Sequence, residues 1–558
     1  MAGPRSSCPC HHQDLRRLGA ALTGRAHPIL FLPVRPREGA NAIIPCHAVG
    51  GPALPHHGAR PDHSCPLVPR KTCRPWPHPI LHAHGLLTMT RPLNLSGRSL
   101  LPLKLGQDQI LRHQLVMGTT GSGKTEYLLR LAEQQIMQGG GLLLVDGKGE
   151  RPLVNRLAGI ADQAGRLDDY FLLDFGEHAE THRFNAMATA SADDVTEFMV
   201  QMMDNPGHVD VWKARSMALL RGVVACSVDM RGPDFVPNYT RLRRMLNLTN
   251  LVFLVTGKKM EGEEAYAPIE RITPESMARL RAYLDALPGF RWTRSNSPYR
   301  LAGEAVAQHG YLLSNLFRVM DDLVHTFGHC FGDGPGDIDM IDVMDRHRIM
   351  LVSLPSLSRS PEVVRALGRL VLGALRGAMR VRLKSASPTM EIPANLVIMD
   401  EVGAYAMPGL DMMAAQARSL RLGMVFATQT LSSLQHAGKE LSENILGNCG
   451  TKIFLRCEDA FATSELARKI SPMMGEVTHQ QVRRNVFSWQ DWTATGDAKL
   501  EPKSQLDYRA LCHLQPGEGY VVRGVGFKKM RFARAHAKPI PFTPLRHGIL
   551  HGYQPPKL

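Results

Sequence analysis

Gly118-Thr119-Thr120-Gly121-Ser122-Gly123-Lys124-Thr125 is the stretch whose reading decides the fold. Glycines in this pattern let backbone N–H groups converge on phosphate oxygens without interference from a Cβ, which marks a P-loop. In such a loop Lys124 neutralises the β- and γ-phosphates of a nucleoside triphosphate, and the Thr125 hydroxyl helps to hold Mg²⁺. The helix that begins there adds its positive dipole end. The flanks agree with this reading. Gln114–Met117 is a short apolar strand running into the loop, and Lys124–Met137 reads as an amphipathic helix leaving it. Leu128, Leu131, Ile136 and Met137 are available to face a core.

Outward from the loop, Leu142–Asp146 and Tyr170–Asp174 are further apolar strands. Strand, helix and strand in that rhythm predict a parallel sheet with crossover helices. From Ser191 to Cys330 the pattern turns helical, with helices expected at Asp193–Met203, Trp212–Met230, Tyr239–Leu246, Glu275–Leu287 and Ala305–Phe327. Sheet signals resume at Ile349–Ser353, Leu396–Asp400, Met424–Ala427 and Lys452–Leu455, and Pro361 is placed to start a helix reaching Leu383. The fold class is therefore α/β, with residues 191–335 as an all-α insertion between the two parts of the sheet domain, 89–190 and 336–535. A tail follows over 536–558. Beyond Ala460 the periodicity is mixed and names no further element.

A second signal is Leu396-Val397-Ile398-Met399-Asp400-Glu401. Four apolar residues ending in two acids describe a buried strand that delivers carboxylates at its C-terminal end, where open α/β sheets bind ligands. Beside a P-loop, Asp400 is placed to hold Mg²⁺ and Glu401 to polarise the attacking water. Thr428-Gln429 ends the next apolar strand, so Gln429 can sense the γ-phosphate; a polar residue at a strand end is otherwise simply solvated. Arg418 and Arg421 lie on the stretch between those two strands. Either suits an arginine finger reaching a neighbouring subunit, and either suits an ordinary surface position. Asp146-Gly147-Lys148-Gly149-Glu150 reads equally well as part of the nucleotide edge or as a glycine turn. The acid-rich stretch Asp333–Asp345 lacks the spacing of a calcium loop and is read as a solvated loop entering a strand. Neither a His-Glu-x-x-His helix nor a Gly-x-Ser-x-Gly elbow is present, which leaves zinc and serine hydrolysis without support.

Residues 1–88 differ from the rest. They hold fourteen of the 38 prolines, ten of the 24 histidines and five of the ten cysteines, with little hydrophobic periodicity. Disorder is expected there. The cysteine and histidine spacings match no paired zinc ligands, and Met89 offers an alternative start. This segment carries ten Lys or Arg against three acids, so it accounts for nearly half of the overall charge of +15. Charge is thus a weak argument for a nucleic-acid partner. The body cysteines, Cys226, Cys330, Cys449, Cys457 and Cys512, are expected to be reduced thiols, mostly buried. No stretch approaches the ~20 apolar residues of a membrane span.

The P-loop, together with Arg112-His113 before it and Glu126 after it, resembles the type IV coupling protein family, in particular those of IncI-type conjugation and Dot/Icm secretion. The resemblance extends through Val145–Glu150, Gln308-His309-Gly310-Tyr311-Leu312, Asp400-Glu401 and Gln416-Ala417-Arg418-Ser419-Leu420, covering about residues 110–460. It implies a RecA-like motor fold that uses ATP and Mg²⁺, assembled as a homo-hexamer with ATP between subunits. It favours Arg418 as the finger. It also implies cargo of relaxase-bound DNA or secreted effector proteins, contacts with a relaxase or type IV channel components, and a place at the cytoplasmic face of the bacterial inner membrane. Family members carry transmembrane helices ahead of the motor, and none is read here. Membrane association would then run through partners or a missing N-terminal segment. A soluble DNA translocase of the same superfamily and a non-catalytic docking remnant are the alternatives.

Overall fold

A computed structural model of the chain describes residues 93–94, 104–177, 180–203, 211–257, 268–292, 303–384, 394–470, 473–478, 499–504, 506–524 and 526–544. The chain divides into residues 1–77 and 78–558, and every described residue lies in the second unit. The expectations for residues 1–88, including disorder, zinc ligation and a start at Met89, fall outside the described residues.

Nine strands form the main sheet: β1 Gln114–Met117, β2 Leu142–Asp146, β3 Tyr170–Asp174, β4 Ile349–Ser353, β5 Asn395–Asp400, β6 Leu422–Thr428, β7 Thr451–Phe454, β8 Glu518–Arg523 and β9 Gly526–Arg531. Their order is β9-β8-β7-β1-β6-β5-β2-β4-β3. The seven from β7 to β3 run parallel, whereas β8 pairs antiparallel with both β7 and β9. The seven expected strands all form, within two residues of their expected ends. The hairpin of β8 and β9 was not expected from the sequence. It sits at the sheet margin, half exposed, so its residues lack the continuous apolar run that betrays a strand buried on both faces.

The parallel strands are buried on both faces, and alternate residues feed two cores. Leu115, Val145, Val352, Met399 and Phe426 point to one, and Val116, Leu144, Leu351, Ile398 and Val425 to the other. The second core is closed by helices α1 Lys124–Met137 and α2 Arg151–Gln163 and by chain from Phe532 to Phe542. Leu128, Leu131 and Ile136 of α1 are buried as expected. Met137 is not: at the last position of the helix it turns outward and is 42% exposed.

Between β3 and β4 the described chain is helical: α3 Ala192–Met202, α4 Val211–Asp229, α5 Tyr239–Met245, α6 Leu248–Thr256, α7 Pro274–Asp285 and α8 Gly303–Asp321. Local chemistry sets their starts. Ser191, Asn238, Asn247 and Thr273 each accept a backbone N–H in the first turn, and Pro274 occupies the first position of α7. The expected single helix Ala305–Phe327 instead widens into a π-turn over Asp322–Thr326, with Phe327 N–H donating to Asp322 at 2.8 Å. Phe327 then lies edge-on to Phe175, just past the end of β3, with centroids 6.1 Å apart. His309 ties three helices together: Tyr283 Oη is 2.7 Å from its Nδ1 and the Leu246 carbonyl 2.8 Å from its Nε2. The core of these helices is continuous with that on the sheet face occupied by α9 Pro361–Lys384 and α10 Leu410–Ala417.

The reading of Asp333–Asp345 as a solvated loop is corrected here. Asp339 is buried and caps a short helix, Met340–Asp345, by accepting from Ile341 N–H at 3.0 Å. Asp342 of that helix and Asp169 hold the buried Arg348 from two sides, at 3.0 and 2.6 Å. A second acid 179 residues from the cation it helps to hold is invisible to a reading based on local polarity. Cys226, Cys330, Cys449 and Cys457 are free and buried, and Cys512 is free and half-buried. Among the described residues, no helix is long and apolar enough to cross a membrane.

Candidate functional site

Parallel pairing puts the carboxyl ends of β1, β6, β5 and β2 on one edge, and register aligns them. Met117 stands opposite Thr428, and Asp146 opposite Asp400. The P-loop leaves from this edge and is tied to its neighbours by backbone bonds: Gly118 N–H to Thr428 at 3.2 Å, Thr119 N–H to Arg456 at 2.9 Å and Leu455 N–H to Met117 at 2.8 Å. Gly121 and Gly123 have φ of 75° and 98°, conformations that side-chain-bearing residues rarely adopt. Gly123 is constrained twice over, since a Cβ there would sit 2.9 Å from the backbone nitrogen of Gly517. The loop therefore presents its N–H groups at the start of α1, as phosphate binding requires.

Lys124, Asp400 and Glu401 meet. Lys124 Nζ is 3.2 Å from Asp400 Oδ1 and bonded to Glu401 Oε1, with the lysine and Asp400 almost fully buried. Glu401 takes up a left-handed backbone, φ 52° and ψ 42°, which costs about 1 kcal/mol or more for a residue that is not glycine. Its N–H donates to Asp400 Oδ1 at 3.1 Å. Beneath them, Tyr405 Oη donates to the Asp400 carbonyl at 2.9 Å and lies 3.3 Å from that of Val145, joining β5 to β2. A strained backbone held by buried hydrogen bonds fixes the carboxylate that faces the lysine.

The turn after β2 has a clear place in this arrangement. Asp146 is buried and accepts from Lys148 and Glu150 N–H, each at 2.9 Å. Burial pushes its carboxyl above the usual range, and the neighbouring Asp400 charge adds to this. Gly147 is where Glu401 closes against β2: a Cβ there would lie 2.8 Å from the Asp400 carbonyl oxygen and 2.9 Å from Glu401 Cβ. Lys148 lines the cavity over the P-loop.

That cavity, about 350 Å³, runs from Thr119–Thr125 past Glu126 and Tyr127 to Pro516-Gly517 and Arg531–Arg534. It falls within the size range of small-molecule sites. Two neighbours of the loop were missed in the sequence. Pro516-Gly517 and Arg531–Arg534 lie about 400 residues from the loop they complete. Arg456 follows β7, and a Cβ on Gly121 would lie 3.8 Å from its Nη2. A residue just past the strand beside β1 was, in retrospect, a place to look.

The remaining expected residues spread out. Gln429 sits at the end of β6 on the nucleotide edge, half-buried. Arg418 precedes β6 and so lies at the opposite edge of the sheet, exposed and paired with Asp108 at 2.9 Å. Arg421 also precedes β6, with φ of 56°. Neither arginine joins Lys124 within this chain. A wider cleft of about 720 Å³ lies among the helices between Arg243 and Phe317, away from these residues.

The donor set suits Mg²⁺. Thr125 and the buried Asp400 carboxylate offer hard oxygen ligands beside the loop, and a P-loop magnesium takes few protein ligands, completing its shell with water and phosphate. The Ser122 hydroxyl is buried in the loop and finds no hydrogen-bond partner among the described residues.

Comparisons with known proteins bear on the fold and on the resemblance read from the motifs. A family model described as the TraM recognition site of TraD and TraG matches residues 395–506. The type 4 coupling protein DotL of Legionella pneumophila is 27% identical over 485 residues, which is 81% of this chain and 61% of DotL. The chain thus spans less than two thirds of that relative. Among solved structures, unbound TrwBΔN70, a bacterial conjugative coupling protein, superposes with a TM-score of 0.53 at 13% identity, covering 82% of this chain and 92% of that one. The plasmid coupling protein TrwB with the ATP analogue ADPNP gives 0.52 at 14% identity, covering 81% and 92%. TrwB with ADP and Mg²⁺ gives 0.50 at 13% identity, covering 78% and 89%. The fold is that of a RecA-like P-loop ATPase, and the type IV coupling proteins are this chain's relatives, as its motifs implied.

Proposed function

We propose that this relative of the type IV coupling proteins binds ATP with Mg²⁺ and hydrolyses it to recruit DNA–protein complexes or effector proteins and move them into a type IV secretion or conjugation channel. The observation that carries the reading is the meeting of Lys124 with Asp400 and Glu401 over a P-loop opening into a cavity of nucleotide size. That the related TrwB binds ADP with Mg²⁺ and ATP analogues supports the choice of ligand.

The chain's own residues divide the work. Backbone N–H groups of Gly123, Lys124 and Thr125 hold the β-phosphate, and Lys124 leaves its carboxylate partners for the phosphates. Thr125 and Asp400 would hold the Mg²⁺, which on binding supplies charge neutralisation between the β- and γ-oxygens. Freed from Lys124, Glu401 orients water and accepts its proton, with Gln429 beside it at the strand end. Arg418, far from this chain's own site, is suited to serve a neighbour's across a homo-hexameric ring, where it would offset transition-state charge. Residues 191–335 form the substrate-facing insertion, and the assembly works at the cytoplasmic face of the inner membrane.

Co-purification tests the cargo and the location. The full chain should capture a relaxase–DNA complex or channel components, and their addition should raise ATP turnover. Stimulation by bare duplex DNA with no capture of either partner would move the reading to a DNA translocase outside secretion.

A further inference from the structure

Chain that follows β9 does more than cover a core. It is fastened along the two helices behind the P-loop. His536 and Ala537 donate their N–H groups to one carboxylate oxygen of the buried Glu133 on α1, at 2.7 and 3.0 Å. Ile540 N–H donates to the Asn155 carbonyl of α2 at 3.0 Å, and Arg151 donates to the carbonyl of Phe542 at 3.0 Å. Gly159 of α2 lets the Lys538 carbonyl lie directly against the helix. At its start the strap is locked to the P-loop itself. Gly517 N–H donates to the Ser122 carbonyl at 2.8 Å, and Phe532 N–H donates to the Gly517 carbonyl at 2.8 Å. The Phe532 ring meets Tyr127 edge-on, centroids 5.0 Å apart. These bonds fix where Arg531 and Arg534 emerge: both line the cavity over the P-loop.

The cavity has a direction. Lys124, which lines it and pairs with Asp400 and Glu401 beyond it, marks the end where the γ-phosphate reacts. The loop N–H groups hold the middle, and the other end is bounded by Gly517, Arg531 and Arg534 beside the first turn of α1. A nucleotide whose phosphates occupy the loop has its sugar and base at that end. Among the described residues, neither arginine forms an ion pair: the Glu126 carboxylate feels the Arg534 charge but is bonded to Arg156 of the nearby α2, and Arg151 pairs with Asp174. A guanidinium is planar and weakly hydrated, so it stacks on a purine and donates to sugar or base oxygens in a way an ammonium does not.

We propose that Arg531 and Arg534, held by the strap, are nucleotide-positioning residues that grip the sugar–base end of a bound nucleoside triphosphate. This rests on the ATP-binding reading above. It assigns the C-terminal strap a part in the site rather than a covering role alone.

Affinity of the full chain for ATP and for inorganic tripolyphosphate, measured by titration calorimetry, tests it. In the Arg531→Ala/Arg534→Ala variant, ATP should bind about tenfold more weakly while tripolyphosphate binds as before. The Arg531→Lys/Arg534→Lys variant keeps the charge but loses the plane, and should recover only part of the loss. Lys124→Ala should lose both ligands. Unchanged ATP affinity in the double alanine variant overturns the proposal while leaving ATP binding intact. Equal loss of ATP and tripolyphosphate also overturns it, because the arginines would then act only as a phosphate-attracting field. A wild-type chain that binds neither ligand removes the ATP reading and this proposal together.

Discussion

Without nucleotide, Lys124 is the only cation among the described residues in ion-pairing contact with Asp400 and Glu401, and replacing it by methionine keeps its stem while deleting the charge. Breaking a buried pair by removing one partner costs about 3–5 kcal/mol, because the orphaned charge stays desolvated. The Lys124 and Asp400 side chains are each only 4% exposed, but Glu401 is 15% exposed, so water can reach it. We therefore expect Lys124→Met to destabilise the nucleotide-free protein by about 2 kcal/mol. Glu401→Gln should be destabilising in the wild-type background. In the Lys124→Met background it should be neutral or stabilising, since it then removes one of two adjacent negative charges. The coupling between the two substitutions should be about 1–3 kcal/mol. Urea unfolding followed by circular dichroism, at 0.1 and 1 M salt, supplies the four midpoints of the cycle. Salt should change the coupling little, because a buried pair is poorly screened. Effects that add to within about 0.5 kcal/mol would refute the claim that this ion pair holds the empty site together.

Other outcomes follow from the same geometry. His113 accepts Met424 N–H at Nδ1, 3.0 Å away, and its Nε2 lies 2.7 Å from the Ala414 carbonyl, so only the neutral ring satisfies both contacts. Burial lowers its pKa below the ordinary 6.5. Its contribution is therefore complete above pH 6.5 and is lost as the pH falls through the lowered folded value, at up to about 1.4 kcal/mol per unit. The stability lead of wild type over His113→Asn should narrow below pH 6.5; a lead independent of pH would contradict this. Gly147→Ala, which crowds Asp400 and Glu401, should slow ATP hydrolysis by about tenfold or more while leaving ATP affinity near wild type; weakened binding with unchanged turnover would count against it. Glu133→Ala leaves two strap N–H groups without their acceptor and should cost about 2 kcal/mol, with faster proteolytic trimming of the C-terminal strap. Trimming at the wild-type rate would show that the carboxylate does not anchor it.

The parts of this molecule that could be read in the sequence are those whose chemistry is local. Gly118–Thr125 announces a phosphate loop because the glycines, lysine and threonine are consecutive. Leu396–Glu401 announces a buried strand with a catalytic end because its apolar run stops at two acids. Strands β1 to β7 are mostly buried on both faces and mostly apolar, so their limits were legible to within two residues. What could not be read is what only the folded chain brings together. Pro516-Gly517 and Arg531–Arg534 belong to the cavity through hydrogen bonds to a loop about 400 residues earlier. Their own neighbourhood, half exposed and mixed in charge, names no element. Asp342 looks solvated until Arg348 and Asp169 are seen around it. Gly147 could be read equally as a turn glycine or as part of the nucleotide edge, because its reason, the approach of Glu401, comes from another strand. Arg418 shows the opposite case. It was singled out by resemblance, yet within one chain it stands at the far edge of the sheet, so any finger role belongs to an assembly.

ATP hydrolysis by the full chain, with and without single- and double-stranded DNA, beside Lys124→Ala and Glu401→Gln, tests the central claim most directly. A working motor requires turnover that rises with DNA or cargo and disappears in both variants, with Glu401→Gln still binding ATP at least as tightly as wild type because its lysine is more loosely held. Turnover that survives either substitution, or a wild-type chain that binds ATP without hydrolysing it under any of these conditions, would contradict it.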